Sequence, residues 1–338
     1  MNFSLTEEQR TLQDTVRRFA ERELIDVARE CEERDESPSA GILKKFADMG
    51  LLGVNITKDL GGVGMSHMDA VLVLEEVGRI SAAVAFPIFE SCFGPILAVA
   101  HFAPEELRRR IVPKVCSGDM IVAVAMSEPH AGTALTDLAT KAEVKADTIV
   151  INGQKRWCSG AGHSDGYVVY CRLSDEPGAK GIGAVLVEKG ANGLSFGKRE
   201  NHMGFRGIHH ADMYFDNVEV PVGNLIVPAG GFRKLMEAFD LERCGNATMA
   251  LGQASGALHD VVSYVQEREQ FGKPLVDFQG VQIKLAEMQM RVEAARLLIH
   301  RAAVNAEDGL PSVIDSSVAK CFANEICREV TGAAVQLM

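Results

Sequence analysis

Several features that define common protein classes are absent from this sequence of 338 residues. Its eight cysteines form no Cys-x-x-Cys unit, so neither a disulfide framework nor a zinc site is expected, and a reducing compartment fits best. The net charge of −11 argues against nucleic-acid binding. No apolar segment reaches the length that spans a bilayer, and the first residues resemble neither a signal nor a transit peptide. We therefore expect a soluble, cytoplasmic protein without nucleic-acid or membrane partners.

The hydrophobic patterns predict helices, then strands, then helices again. Thr6 has the pattern of an N-cap residue, with Gln9 completing a capping box. Helical patterns follow at 42–49, 68–77 and 105–115. Short apolar runs indicate strands at 121–126, 148–152, 167–171, 183–187 and 213–215, and long helical patterns return at 232–268, 278–308 and 314–338. This order favours separate layers over an alternating parallel sheet, with domains at 1–119, 120–229 and 230–338.

A helix-breaking corner is the most informative segment. Arg268 closes one helical pattern, Phe271-Gly272 breaks the helix, and Pro274 fixes the exit of the chain. An arginine, a glutamine (Gln270) and a phenylalanine on such a corner suit a diphosphate and a flat ring. Taken alone the corner is weak evidence, because an arginine before a Phe-Gly turn is usually only a helix end.

Two polar segments lie among the predicted strands. Ser127-Glu-Pro-His-Ala-Gly-Thr133 follows the first strand, and Lys155-Arg-Trp-Cys-Ser159 follows a hairpin-like run. Most loops of the first kind only connect strands. On residue statistics alone, Trp157 is more simply explained as a core aromatic.

One carboxylate lies on an apolar helix. At helical spacing Phe239, Glu242, Arg243 and Asn246 share a face, and the plainest interpretation is a surface Glu–Arg pair. The helix is unusually apolar, however, so we expect the Glu242 carboxylate to be partly desolvated, as a general base requires.

Together these segments resemble the acyl-CoA dehydrogenase family, and the resemblance covers essentially the whole chain. The corner is similar to the family's Arg-x-Gln-Phe-Gly, the first polar segment to its Thr/Ser-Glu-Pro-Gly-Ala-Gly-Ser-Asp, and the second to its Lys-x-Trp-Ile-Thr. The resemblance implies a mainly α protein with a middle β domain. It comprises an N-terminal α-helical domain, a β-barrel-like middle domain and a C-terminal helical bundle whose last helix appears to be missing after residue 338.

The resemblance also implies FAD as the cofactor and assigns contacts to it. Trp157 would cover one edge of the isoalloxazine, and Ser159 would hydrogen-bond near its N5. The remaining flavin contacts would be Met126, Ser127, Gly132 and Thr133, and, toward a neighbouring subunit's flavin, Arg268, Gln270, Phe271, Leu275 and Gln336. The acyl-CoA would contact Thr133, Phe239, Asp240 and Arg243.

The function implied by the resemblance is α,β-dehydrogenation of an acyl-CoA thioester to the trans-2-enoyl-CoA. Glu242 would abstract the α-proton, as in the branch of isovaleryl-CoA-type enzymes, and flavin N5 would take the β-hydride. Most other members carry the base in a C-terminal Tyr-Glu-Gly segment. Electrons would leave to an electron-transferring flavoprotein, and the protein would be a dimer of dimers.

Departures from the family pattern leave alternatives open. His130 replaces a glycine and Ala134 an aspartate, while His209-His210 lack a third metal ligand and are expected to be exposed loop residues. The substrate is expected to be short, branched or substituted, with the histidines suggesting a succinyl-type acyl group. A different reaction, such as that of a desulfinase or a flavin oxidase, and a non-catalytic interaction protein are the rival interpretations.

Overall fold

The computed structural model describes residues 3–307 and 309–338. Its helices are α1 (Glu7–Glu23), α2 (Ile25–Arg34), α3 (Ala40–Asp48), α4 (His67–Gly78), α5 (Ala82–Cys92), α6 (Ile96–Phe102), α7 (Glu105–Cys116), α8 (Phe232–Glu267), α9 (Gln279–Asn305) and α10 (Val313–Leu337). Its strands are β1 (Val122–Ala125), β2 (Lys141–Val144), β3 (Thr148–Ser159), β4 (Gly166–Arg172), β5 (Ile182–Glu188), β6 (Leu194–Phe196), β7 (His210–Pro221), β8 (Leu225–Val227), β9 (Glu269–Gln270) and β10 (Lys273–Pro274).

The predicted succession of helices, strands and helices is confirmed. Helices α3, α4, α7 and α8 to α10 lie over the predicted helical patterns. Strands β3, β4, β5 and β7 contain the predicted apolar runs, and β1 lies within its predicted run. The capping box also forms, because the Thr6 side chain accepts from the Gln9 backbone while the Gln9 side chain accepts from the Thr6 backbone. The patterns did not predict β2, β6 and β8, which are three or four residues long.

One stretch contradicts the expectation that no segment could span a bilayer. By length and composition alone, Ala82–Phe102 is apolar enough to cross a membrane. In the structure the stretch comprises α5 and α6, and 83% of its most apolar window is buried. Buried core helices of folded proteins pass the same test, so this stretch is weak evidence for a membrane span.

Residues 30–65 and 86–242 form one compact unit, here called the sheet unit. Its strands make an eight-stranded sheet in the order β6-β7-β3-β2-β4-β5-β8, with β1 pairing parallel to β4. Side chains such as Ile151, Tyr167, Val169 and Met213 form its core. The long antiparallel pairing of β3 with β7 shifts register between Lys155 and Cys158. Such a bulge re-aims the side chains around it.

The described residues of 1–29, 66–85 and 243–338 form a second compact unit, here called the helical unit. Helix α4 packs on α1 and α9, and α9 packs on α10. Helix α8 also lies close to the end of α4, because a Cβ added at Gly256 would come within 2.3 Å of the Arg79 carbonyl oxygen. Two ion pairs with buried glutamates join the helices: Arg17 with Glu76 at 2.7 Å and Arg296 with Glu75 at 2.8 Å.

Helix α8 belongs to both units along its 36 residues. Its first part, 232–242, lies in the sheet unit, and the part from 243 onward lies in the helical unit. Glu242 is therefore the last residue of α8 that belongs to the sheet unit.

Candidate active site

The loop that follows β1 is fastened to β3 by a buried lysine. The Lys155 Nζ donates to the Met126 carbonyl at 2.9 Å and to Glu128 Oε1 at 2.8 Å, and Lys155 is fully buried. The Glu128 carboxylate also accepts from the backbone N–H groups of Ala139 and Thr140, at 2.6 and 3.0 Å. Burial raises the pKa of Glu128, but the Lys155 charge and the hydrogen bonds outweigh burial, so its pKa is lowered overall.

The outer residues of the same loop are exposed to solvent. The Arg156 N–H donates to the Ser127 carbonyl at 2.8 Å, which aligns the loop with the bulge of β3. Met126 and Ser127 are half-buried, whereas Gly132 and Thr133 are exposed. No atom lies within 4 Å of a Cβ built on Gly132, so the backbone there is open to a ligand. The structure thus brings the predicted flavin residues of the loop and of β3 together in the sheet unit.

Trp157 is not a core aromatic. Its side chain is 59% exposed, and its backbone adopts the left-handed region with φ of 55°. An exposed large aromatic residue on strained backbone is costly, and such strain clusters at ligand sites. The Arg156 guanidinium lies 4.9 Å from the centre of the indole ring. Trp157 is therefore held at the surface, as a flat-ring contact requires.

The histidine pair was expected in an exposed loop, and this expectation is wrong. His210 is buried at the start of β7, and His209 is half-buried. The His210 ring contacts the Ile208 carbonyl through Nδ1 at 3.1 Å and the Ser159 Oγ through Nε2 at 3.0 Å. Burial lowers the pKa of His210 and also that of His209, to about 4.

These contacts fix the direction of the hydrogen bond between Ser159 and His210. A carbonyl oxygen only accepts, so the Nδ1 of the neutral His210 carries the proton and Nε2 is an acceptor. The Ser159 hydroxyl must then donate to Nε2. The Ser159 oxygen can then accept a hydrogen bond from a ligand donor.

The predicted substrate residues lie on α8. Glu242 is half-buried, as are Phe239 and Arg243, while Asp240 is 2% exposed. The charge of Glu242 acts on two buried groups of the sheet unit, Glu90 of α5 and Tyr170 of β4. Burial, with the Glu242 charge as the smaller cause, raises the pKa of Glu90 well above its ordinary value and also raises that of Tyr170.

Sequence reasoning missed Glu90, a buried carboxyl group on which the Glu242 charge acts. The only signal was a single carboxylate in the apolar run 82–102, which predicts a buried segment without saying which face meets α8. The packing of α5 near Glu242 joins residues about 150 positions apart, and no local pattern encodes such a contact.

The corner at the end of α8 is a tight hairpin in the helical unit. Strands β9 and β10 pair antiparallel, and both turn residues, Phe271 and Gly272, have left-handed backbone with φ of 53° and 76°. The Leu275 N–H donates to the Arg268 carbonyl at 2.8 Å, which closes the corner. Phe271 is 93% exposed, and Arg268, Gln270 and Gln336 of α10 are exposed as well.

Comparison with known proteins identifies the family. Models of the acyl-CoA dehydrogenase N-terminal, middle and C-terminal domains match residues 6–119, 123–218 and 229–338. The chain belongs to the acyl-CoA dehydrogenase family. It therefore has that family's fold, a helical, β and helical succession, and is an FAD-dependent enzyme.

Relatives of this chain within the family differ in reaction. The chain is 38% identical to the cyclohex-1-ene-1-carbonyl-CoA dehydrogenase of Geobacter metallireducens, covering 99% of this chain and 88% of that protein. It is 35% identical to the 3-sulfinopropanoyl-CoA desulfinase of Cupriavidus necator, covering 99% and 86%.

Solved structures agree with the fold. The butyryl-CoA dehydrogenase of Megasphaera elsdenii superimposes with a TM-score of 0.94 at 31% identity, covering 100% of this chain and 89% of that one. A structure described as the electron transferring flavoprotein of Acidaminococcus fermentans gives a TM-score of 0.95 at 33% identity, with the same coverage.

The residues present fit FAD, with an exposed indole, an open glycine and a backbone-fastened loop on one side of the sheet unit. That each predicted residue contacts the flavin stays a prediction.

Proposed function

We propose that the chain catalyses α,β-dehydrogenation of an acyl-CoA thioester to the trans-2-enoyl-CoA, with Glu242 as the base. The observation that carries this proposal is the half-buried Glu242 carboxylate on α8, whose charge acts on the buried Glu90 and Tyr170. Burial raises the pKa of Glu90 and that of Tyr170, which disfavours the ionised form of both groups. Glu242 is only half-buried, and we assign it as the proton acceptor of the three.

The chain's own groups would supply orientation and proton transfer. Glu242 would hold the α-proton after abstraction, in a site whose apolar walls exclude water and strengthen electrostatic interactions. Phe239, Asp240 and Arg243, one to three residues from Glu242 on α8, would seat the acyl-CoA. FAD, when bound, supplies the acceptor for the hydride that leaves the β-carbon. Thr133, which is exposed on the loop after β1, would border both ligands.

The proposal extends to the class of acyl group, the electron acceptor and the location of the protein. The names of the cyclohex-1-ene-1-carbonyl-CoA and butyryl-CoA relatives support a short, branched or substituted acyl group. The flavoprotein named for the similar Acidaminococcus structure supports an electron-transferring flavoprotein as the acceptor. The eight free thiols support a cytoplasmic location, where cysteines stay reduced.

A homo-oligomer is part of the proposal. Four apolar residues of α9, spaced seven apart, are exposed: Ile283, Met290, Leu297 and Val304. A continuous apolar stripe of this kind marks a protein interface. With the exposed Phe271, it supports subunits that pair and share flavin contacts.

The test is the anaerobic absorbance of the purified protein during addition of isovaleryl-CoA, butyryl-CoA, a long-chain ester and succinyl-CoA. Bleaching of the oxidised-flavin band by one of these esters is the expected result. A flavin band that no ester bleaches would contradict dehydrogenation, and the absence of bound flavin would support the non-catalytic interaction protein.

A second candidate function is favoured by two observations. The desulfinase relative and Ala134, where the family carries aspartate, together favour a non-dehydrogenase reaction. Release of sulfite from 3-sulfinopropanoyl-CoA without flavin bleaching would establish it.

A further inference from the structure

The outer face of the sheet unit carries a polar pair two residues along β3 from the exposed Trp157. After the bulge, Ser159 of β3 lies opposite His210 of β7. Cys158 and Ala211, the neighbouring opposed pair, belong to the core, so the side chains of Ser159 and His210 point to the opposite face of the sheet. Ser159 Oγ and His210 Nε2 lie 3.0 Å apart and are hydrogen-bonded.

The hydrogen bond between these side chains has a fixed direction. His210 Nδ1 lies 3.1 Å from the Ile208 carbonyl oxygen, which can only accept, so the proton of the neutral ring is on Nδ1. Nε2 is then an acceptor, and the single hydrogen of the Ser159 hydroxyl is donated to it. The Ser159 oxygen consequently meets a ligand as an acceptor only.

The surroundings of His210 favour its neutral ring. Only 9% of the residue is exposed, and the centre of the His202 ring lies 4.4 Å from its own. Burial is the largest cause that lowers the pKa of His210 from 6.5, and the charges of His202 and Arg199 act in the same direction. The hydrogen bond to the Ile208 carbonyl and the charge of Asp35 raise this pKa by less. At pH 7.5 the ring therefore accepts at Nε2 instead of donating.

A fixed acceptor distinguishes the two redox states of a flavin. N5 of the oxidised isoalloxazine has a lone pair and only accepts, whereas reduction adds two electrons and a hydrogen there, so the reduced ring has an N5–H donor. Opposite a hydroxyl oxygen that cannot donate, the oxidised N5 has no partner, whereas the reduced N5–H gains one. Hydrogen bonds to the ring nitrogens are a means by which a protein tunes its flavin.

We propose that His210 is a positioning residue that raises the reduction potential of the bound flavin: by taking the Ser159 hydrogen, it makes Ser159 an acceptor that favours reduced N5–H over oxidised N5. The inference rests on the proposed function, in which FAD takes the hydride, and on the contact of Ser159 near N5 that the sequence predicts. A serine hydroxyl without this histidine rotates freely, so it donates to the oxidised ring and accepts from the reduced one. With the histidine, transfer of the hydride from the β-carbon to the flavin is more favourable.

The reduction potential separates this role from packing. The proteins are wild type, His210→Leu, Ser159→Ala, the double variant and His202→Leu. His210→Leu removes the acceptor at unchanged net charge, because the histidine is neutral at pH 7.5. His202→Leu is the matched control, since it removes the neighbouring imidazole and leaves the Ser159 hydrogen bond in place.

Two quantities are measured for each protein at pH 7.5, without any acyl-CoA. The midpoint potential of the bound flavin is obtained by slow reduction with xanthine and xanthine oxidase against a reference dye. The dissociation constant of oxidised FAD is obtained by fluorescence titration of the flavin-free protein. Together they give the dissociation constant of reduced FAD through the thermodynamic cycle. Because no ester is present, neither quantity depends on the substrate.

His210→Leu should lower the preference for reduced over oxidised FAD about 10-fold, which is about 30 mV in the two-electron potential, because the freed Ser159 hydroxyl then donates to the oxidised ring. Ser159→Ala should weaken the binding of reduced FAD about 10-fold and leave that of oxidised FAD unchanged. In the double variant the change at His210 should add nothing to the effect of Ser159→Ala. His202→Leu should keep the wild-type values.

Each contrary result has one meaning. A potential of His210→Leu equal to or above that of wild type overturns the inference, and so does an equally large shift when Ser159 is already alanine, which would assign the effect to packing. Ser159→Ala that weakens oxidised FAD as much as reduced FAD overturns it even if no His210 variant folds, because the hydroxyl would then donate to the oxidised ring.

These outcomes are distinct from failure of the proposed function. If an ester bleaches the flavin while the potentials do not respond, dehydrogenation stands and the role of His210 is wrong. If the potentials respond as expected while no ester bleaches the flavin, the proposed dehydrogenation fails and the contact of Ser159 with the flavin stands. A protein that binds no FAD would contradict both.

Discussion

Lys155 and Glu128 form a buried ion pair, at 2.8 Å, that joins β3 to the loop after β1. The lysine is fully buried and the glutamate 6% exposed, so neither charge is solvated by water. Two predicted flavin contacts adjoin the pair. Lys155 Nζ donates to the Met126 carbonyl, and Trp157 follows Lys155 by two residues in the sequence. The flavin side of the site therefore depends on this buried ion pair.

Replacing Lys155 with methionine should destabilise the sheet unit by about 3–5 kcal/mol, because Glu128 would remain buried without its counter-charge. Chemical unfolding followed by the fluorescence of Trp157, the only tryptophan, measures this. The exposed Lys141→Met is the matched control and should cost less than about 0.5 kcal/mol. The pKa of Glu128 is lowered in the folded protein from its ordinary value of 4.5. The contribution of its carboxylate to the free energy of unfolding is therefore full above pH 4.5 and is lost as the pH falls through the lower pKa of the folded state. A change within about 1 kcal/mol for Lys155→Met would contradict this role.

The exposed corner predicts flavin sharing between subunits. Trp157→Ala and Arg268→Ala should each retain little FAD, because each removes one side of every site. Unfolding and refolding the two variants together should form mixed oligomers in which one site has both residues, so bound flavin should rise. Flavin absorbance per subunit after gel filtration measures this. Each variant refolded alone is the control, and mixtures that stay flavin-free would contradict a shared site.

A half-buried histidine, whose Nε2 atom is buried, should make the helical unit sensitive to acid. Burial lowers the pKa of His300 from 6.5 to about 4, and its Nε2 has no partner among the described residues. Between pH 6.5 and about 4, His300 is protonated in the unfolded chain but not in the folded chain. The free energy of unfolding therefore falls as the pH drops from 6.5 toward 4. Relative to His300→Gln, wild type should lose up to about 3 kcal/mol between pH 7.5 and 4. Denaturant unfolding at several pH values tests this, with the exposed His130→Asn as control; a constant difference between wild type and His300→Gln would refute it.

The sequence predicted most of the fold because its long helices are free of helix-breaking proline. Helices α8 to α10 extend over 25 residues or more without one, so their prediction did not depend on any single position. Strands β6 and β8, with three residues each, offer too few positions for a period to be visible. The apolar run that forms α5 and α6 has little contrast between faces, and a run without contrast does not reveal which face is buried.

The candidate site was predictable where a local pattern encodes it. The bulge that exposes Trp157 and the turn at Phe271-Gly272 are short-range features, and the predicted residues of both segments lie where a ligand can reach them. The burial of His210 and the position of Glu90 depend on packing between distant segments. His210 was consequently expected in an exposed loop, and Glu90 was not considered.

The central claim, that Glu242 is the base, has one most direct test. Glu242→Gln keeps the size of the side chain but cannot accept the α-proton, so the anaerobic rate constant of flavin reduction should fall by about 10³-fold while bound FAD stays at one per subunit. Glu237→Gln, which removes a glutamate of α8 that pairs with Arg233, should reduce flavin at the wild-type rate. Reduction of Glu242→Gln at the wild-type rate would contradict the account and place the base elsewhere.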